Sequence, residues 1–250
     1  MIKKIWLLLV FLICGCNTVH IPETFAYKEI KTEKFTLASW QKITNSEAPV
    51  KIYIEGDGAS FNGVGRPTSN PTPKGKLLRE IAFGDNSPNV VYLARPCQFV
   101  ADNQCEQKYW TTARFSAEVI ASEREAVLDI AQENDVILIG FSGGAQVAGL
   151  VAVTAPELHV KKIITIAGNL DHKAWTEYHN VPALDGSLNL ADYKDKYSVI
   201  EQEHYVGTKD EVMPPKLVYD FVGSDNVREV PLAEHSKGWE RIYPLIQLER

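Results

Sequence analysis

Apolar runs long enough to cross a bilayer are missing from this chain: the longest, residues 5–13, falls well short of the roughly 20 residues a spanning helix needs. Blocks of Lys and Arg, and stripes that alternate basic with aromatic residues, are missing too. With a formal net charge of −6, the chain lacks the positive footprint that phosphate backbones and anionic headgroups attract, so nucleic acid is not an expected partner. Metal-ligand spacings are scarce. His172 and His179 stand seven apart, which suits one helix face, but no third ligand of fitting spacing accompanies them. His20, His159 and His204 have no partner motif. No metal or organic cofactor is implied. Internal repeats, heptads and Pro/Gly-rich linkers are also absent, and 45% apolar residues in 250 can fill one sizeable core.

The amino terminus stands apart from this body. Lys3 and Lys4 precede the short apolar run, and small residues close it, the pattern of an export signal over residues 1–15. Its last residues, Leu12-Ile13-Cys14-Gly15-Cys16, resemble a bacterial lipobox. That resemblance implies that Cys16 is acylated with palmitate-type chains and becomes the first residue of the mature protein, lipid-anchored in the bacterial cell envelope. Cleavage there removes two of 26 basic residues and no acidic one, leaving 24 against 32, a net −8. An acidic body gains nothing from anionic lipid, so membrane attachment falls to the acyl chains, and several chains anchor stably where one does not. Of the four cysteines, Cys97 and Cys105 then remain as one candidate disulfide in an oxidising compartment. A polar stretch, 16–33, reads as a tether, and 34–250 as the folded domain.

Within the domain, periodicity predicts the order of elements. Residues 27–30 and 35–40 suit an antiparallel hairpin at a sheet edge. From Val50 onward, short apolar runs alternate with amphipathic segments, the mark of an α/β fold with a mostly parallel central sheet and helices on both faces. Strands are expected at Val50–Ile54, Asn89–Leu93, 136–141, 162–167, 197–205 and Val227–Val230. Helices are expected at 74–83, from Phe115 through Ile130, after Ser142, at 216–222, and around Trp239 and Tyr243 with Pro244 ending the last. A polar and aromatic excursion, 168–196, is too short for a large lid, so an open cleft is expected. Tyr109, Trp110, Trp175 and Tyr178 fall in the excursions that border it.

The stretch that carries chemistry is Gly140-Phe141-Ser142-Gly143-Gly144, a G-x-S-x-G pattern between a buried strand and an Ala/Val-rich helix. Chance alone produces the bare pattern in roughly one of ten chains of this length, with Gly and Ser near 7% each, so its position between strand and helix decides. There the glycines remove side chains from a tight bend, and Ser142 takes a strained backbone that lifts its hydroxyl above the sheet. A serine hydroxyl needs an imidazole to take its proton and a carboxylate to hold that imidazole. Asp210, in a Gly-to-Pro turn after one late strand, and His235, after the next, would stand on the same rim, because catalysts of open α/β sheets collect at the carboxyl ends of strands. Asp171 is the competing acid.

The serine turn, the turn at Asp210, the late His235 and their chain order resemble the α/β-hydrolase family of serine hydrolases, over about 200 residues from Val50 onward. The resemblance implies an α/β-hydrolase fold with Ser142 as nucleophile, Asp210 as orienting acid and His235 as general base. It also implies an oxyanion hole of two backbone N–H groups, one from Gly143 and one from the loop Glu55-Gly56-Asp57-Gly58, with Asp57 preferred over Gly58. That loop departs from the His-Gly often found in the family, and its two carboxylates are expected to point away from the site. The implied activity is cleavage of an ester or related acyl bond in a small-molecule or acyl substrate. The competing expectation is a hydrolase-like envelope lipoprotein that binds without turnover.

Overall fold

The structure, a computed structural model, describes residues 19–248. The signal, the lipobox and Cys16 lie outside the described residues. Among these residues eight strands form one sheet: β1 (Ala26–Lys31), β2 (Thr36–Ile43), β3 (Val50–Ile54), β4 (Asn89–Leu93), β5 (Val136–Phe141), β6 (Val160–Ile166), β7 (Glu201–Gly207) and β8 (Val227–Val230). Their spatial order is β1-β2-β4-β3-β5-β6-β7-β8. The six from β4 to β8 in this order run parallel, while β2 is antiparallel to β4 and β1 to β2. All five residues of β3 and of β4 are buried, because helices cover both faces and a central strand then has no polar side.

Among the described residues seven α-helices flank the sheet: α1 (Leu77–Phe83), α2 (Ala117–Ala131), α3 (Gly143–Thr154), α4 (His172–Tyr178), α5 (Lys194–Tyr197), α6 (Pro215–Val222) and α7 (Tyr243–Leu248). Alternate residues of β3 show how the layers are held. Lys51 donates to the carbonyl of Ile246 on α7 at 2.7 Å and Tyr53 to Asp85 after α1 at 2.6 Å, while α2 and α3 pack on each other across the sheet. Ser116 caps α2 by accepting from the Val119 N–H.

Four expectations need correction. The tether does not reach residue 33: Phe25 is buried and Ala26–Lys31 pairs with β2, because the hairpin covers the edge that β4 would otherwise expose. Helix α1 starts at Leu77 rather than Lys74; Gly75 is a poor helix former, and Arg79 takes its carbonyl at 2.7 Å, leaving 73–76 as loop. β7 starts at Glu201 rather than Tyr197, whose buried ring ends α5 and packs 5.8 Å from that of Phe221. Pro244 lies in the first turn of α7 and does not end it, since a first-turn residue needs no N–H.

Candidate active site

At the end of β5 the chain bends at Ser142, with φ 52° and ψ −122°. A left-handed backbone at a residue with a side chain is strained, and packing enforces it here. A Cβ on Gly140 would collide with the Ala145 backbone, and one on Gly144 with the carbonyl of Ile54. Helix α3 therefore comes so close to β3 and β5 that the bend must be tight. The Ser142 N–H donates to the carbonyl of Ile166 at 3.0 Å, and its own carbonyl accepts from Asn169 at 2.9 Å, so both ends of the bend are tied to β6 and its following loop.

Two further loops bring the partners. After β7, the Asp210 carboxylate accepts through Oδ1 from the N–H groups of Val212 and Met213 at 2.9 and 2.8 Å, and its Oδ2 lies 2.9 Å from His235 Nδ1. The Lys209 N–H donates to the carbonyl of Ala233, and Thr208 to that of Val230. The two loops thus run side by side, which places an acid on one within reach of a histidine on the other. His235 Nε2 stands 3.1 Å from Ser142 Oγ, and Phe141 packs 5.2 Å from the imidazole. The structure brings Ser142, His235 and Asp210 together as one hydrogen-bonded chain. Asp171 is elsewhere: it caps α4, accepting from Lys173 and Ala174, and takes a bond from Asn189 at 2.7 Å.

The other wall is the loop after β3. Asp57, Gly58 and Gly143 line the cleft beside Ser142, and no hydrogen bond engages the N–H of Asp57 or Gly143 among the described residues. Glu55 is turned aside as expected, accepting from Tyr92 at 2.6 Å and from the Gly56 N–H at 2.8 Å; burial raises its pKa above the usual carboxylate value. Asp57 does not point away. Its carboxylate lies against the Cα of Gly143, where a Cβ would strike it, and two guanidiniums share it, Arg95 at 3.6 Å and Arg114 at 3.2 Å. Behind them Glu123 stands 3.4 Å from Arg95, and burial pushes its pKa up to about 8. Near neutrality Asp57 thus faces two cations with Glu123 largely protonated, which removes the unfavourable charge from beside the elbow.

The cleft holds about 570 Å³. From the excursion after β6 only Asn169 and Trp175 reach it. The remainder folds down on α3, where Gln146 binds Leu188 and Asn189 at 3.2 and 3.0 Å, and the cleft stays open as expected. Trp110 instead donates to the carbonyl of Thr68 at 3.0 Å, below the loop. Tyr109 is buried and Tyr178 exposed. Cys97 and Cys105 are disulfide-bonded, Cα to Cα 5.6 Å. Within that closed loop Gln98 donates to the carbonyl of Gly56 at 2.9 Å and so braces the wall. No group of three or more His, Cys, Asp or Glu able to hold a metal occurs among the described residues. His172 is buried against Phe115, and His179 bonds the carbonyl of Val212 at 3.0 Å.

No family model matches this sequence, and a search of curated proteins finds no match. Likeness appears in three dimensions. An alpha-beta serine hydrolase homologue from Coxiella burnetii superposes with a TM-score of 0.58 at 17% identity, over 92% of this chain and 96% of that one. Est1E from Butyrivibrio proteoclasticus gives 0.59 at 15%, over 88% and 94%, and an esterase from Pyrococcus furiosus 0.57 at 15%, over 89% and 88%. The fold is the α/β-hydrolase fold.

Four polar residues at or behind the wall of this cleft escape a reading of the sequence: Arg95, Arg114, Glu123 and Gln98. One signal was available. Glu123 falls on the helical stripe of Val119, Ala126, Val127 and Ile130, and a carboxyl on a core-facing stripe requires a partner. Nothing local identifies that partner as Arg95, which lies beyond the end of another element.

Proposed function

We propose that the protein is a serine hydrolase that cleaves an ester or related acyl bond through an acyl-serine intermediate. The observation that carries this reading is the chain Asp210 to His235 to Ser142, at 2.9 and 3.1 Å, ending on a serine with positive φ in an open cleft. Ser142 Oγ attacks the acyl carbon as His235 Nε2 takes its proton; Asp210 holds the imidazole at Nδ1 and stabilises the imidazolium. The oxyanion accepts hydrogen bonds from the N–H groups of Gly143 and Asp57. The imidazolium then protonates the leaving oxygen, and the acyl-serine remains. Water, deprotonated by the same imidazole, attacks it and releases the acid. Solved structures of the same fold are titled esterase and serine hydrolase, which supports this chemistry over other uses of the fold.

Labelling of the purified domain with a fluorophosphonate tests the reading. Wild type is expected to become covalently labelled and Ser142→Ala to remain unlabelled. A folded wild type that takes no label would favour a binding protein without turnover, and label retained by the variant would refute the assignment of Ser142.

We further propose that the protein is anchored in the cell envelope by acyl chains on Cys16, a reading supported by the lipobox-like sequence before that residue. Metabolic incorporation of a labelled fatty acid is expected in wild type and absent in Cys16→Ser. Incorporation that survives the substitution would exclude Cys16 as the acylated residue.

A further inference from the structure

The cleft wall opposite His235 carries a cation that catalysis leaves unused. Arg114 is 5% exposed and lines the cleft. Its Nε is turned to Asp57 and closed off from solvent, but no hydrogen bond engages Nη1 or Nη2 among the described residues. The guanidinium carbon lies 6.0 Å from the ring centre of Phe61, 5.7 Å from that of Phe115 and 5.8 Å from that of Trp175. Three aromatic rings surround the guanidinium without accepting from its Nη donors, and Arg114 lines the cleft. A planar fork of donors in such a setting matches a carboxylate and gains more from it than an exposed arginine would.

The local charge agrees. Asp57 is one carboxylate between two guanidiniums, and Glu123 behind them is largely protonated near neutral pH. Glu55 has its own donors in Tyr92 and Gly56. The Nη donors of Arg114 are left without an acceptor, and Lys74 adds a further cation on the cleft rim. Asn169, 6% exposed and also lining the cleft, has a side-chain oxygen with no partner, a second polar atom beside the reacting serine that no bond inside the protein accounts for.

Resting on the hydrolase reading above, we propose that the substrate is an ester carrying a carboxylate, and that Arg114 is the specificity residue that binds it. Asp57 links the two functions, because its carboxylate touches both Arg114 and the Cα of Gly143. A carboxylate bound at Arg114 therefore stands one side chain away from the elbow, in the same cleft as Ser142. An uncharged chain in the same place leaves the Nη donors of Arg114 without an acceptor, which is the kind of mismatch that gives strong discrimination.

Matched substrates test this. In one arm the carboxylate is in the acyl part: mono-4-nitrophenyl glutarate against 4-nitrophenyl 5-methylhexanoate. In the other it is in the alcohol part: butyryl glycolate against isobutyl butyrate. Wild type is expected to favour the anionic member of at least one pair by about 10- to 100-fold in kcat/KM, mainly through KM, the range of a charge-assisted hydrogen bond. Arg114→Gln should remove most of that ratio, and Arg114→Lys, which keeps the charge and loses the fork, should restore only part. Calorimetry on Ser142→Ala supplies a readout that needs neither turnover nor a substitution at Arg114: monomethyl glutarate is expected to bind more tightly than dimethyl glutarate. No anionic preference in either arm by an enzyme that takes fluorophosphonate, or a preference that Arg114→Gln leaves intact, overturns the proposal while the hydrolase reading stands. Tighter binding of the half-ester by a protein that takes no fluorophosphonate leaves the anion site standing and sinks the hydrolase.

Discussion

The two walls of the cleft are built on different principles. On one wall, Ser142, Asp210 and His235 each occupy a turn at the end of a parallel strand, and each turn is held by hydrogen bonds within it or to the adjacent loop. On the other, the loop after β3 is held by groups distant in sequence: Gln98 on Gly56, and Arg95 and Arg114 on Asp57. The first wall is positioned by topology, so its residues need only sit at the right strand ends. The second is positioned by buried charge, which tolerates little loss because a charge stripped of its partner has no water to turn to. Substitutions should therefore act differently on the two walls, on turnover at the first and on stability at the second.

The largest effect should come from the wall of Ser142, Asp210 and His235. Asp210→Asn keeps the shape, offers His235 an amide and removes the charge that stabilises imidazolium, so turnover should fall by about 10³ to 10⁴ with folding unchanged by circular dichroism. Any ester shown to be hydrolysed serves for the assay, and a fall of less than tenfold would mean that another group orients His235.

On the opposite wall, Arg95→Met should act on stability. It strips Asp57 and Glu123 of a shared cation and the Arg114 carbonyl of a donor, at a cost of about 3 to 5 kcal/mol in urea denaturation. An unchanged midpoint would show that the cluster contributes nothing to stability.

Reducing Cys97–Cys105 should cost about 2 to 3 kcal/mol through the freed unfolded chain. It should also lower turnover, because Gln98 loses its fixed place on Gly56. Thermal melts and activity with and without reductant measure both, and equal turnover before and after reduction would show that the disulfide does not act through the loop after β3. The smallest effect should come from Asp171→Asn. It keeps an oxygen that can cap α4, so stability should change by less than about 1 kcal/mol, and turnover should stay within about threefold. A severe loss there beside a mild one in Asp210→Asn would reverse the assignment of the acid.

How legible these walls are in the sequence follows from the same contrast. The elbow was readable because a strained serine between a buried strand and a helix requires glycine at fixed offsets, and Gly140 and Gly144 stand at those offsets. Asp210 and His235 were readable because each follows a strand and the chain order restricts the choice. The starts of α1 and β7 were not, since Gly75 and Tyr197 suit more than one local conformation and neighbours decided between them. The direction of the Asp57 carboxylate was misjudged for a related reason: a carboxylate beside an oxyanion site looks unfavourable until two arginines from other elements are seen to hold it.

By itself, the sequence determined the order of strands and helices, the layered α/β class, the place of the bend at Ser142 and the candidates for its partners. These depend on side-chain periodicity and on backbone strain, which act over a few residues and are written locally. Only the tertiary structure decided that Asp210 rather than Asp171 meets His235, that Gln98 braces Gly56, and that Arg95, Arg114 and Glu123 surround Asp57. Buried charges find their partners across space, and which carboxylate faces which guanidinium depends on how the loops pack after the sheet has formed, information that no window of neighbouring residues contains.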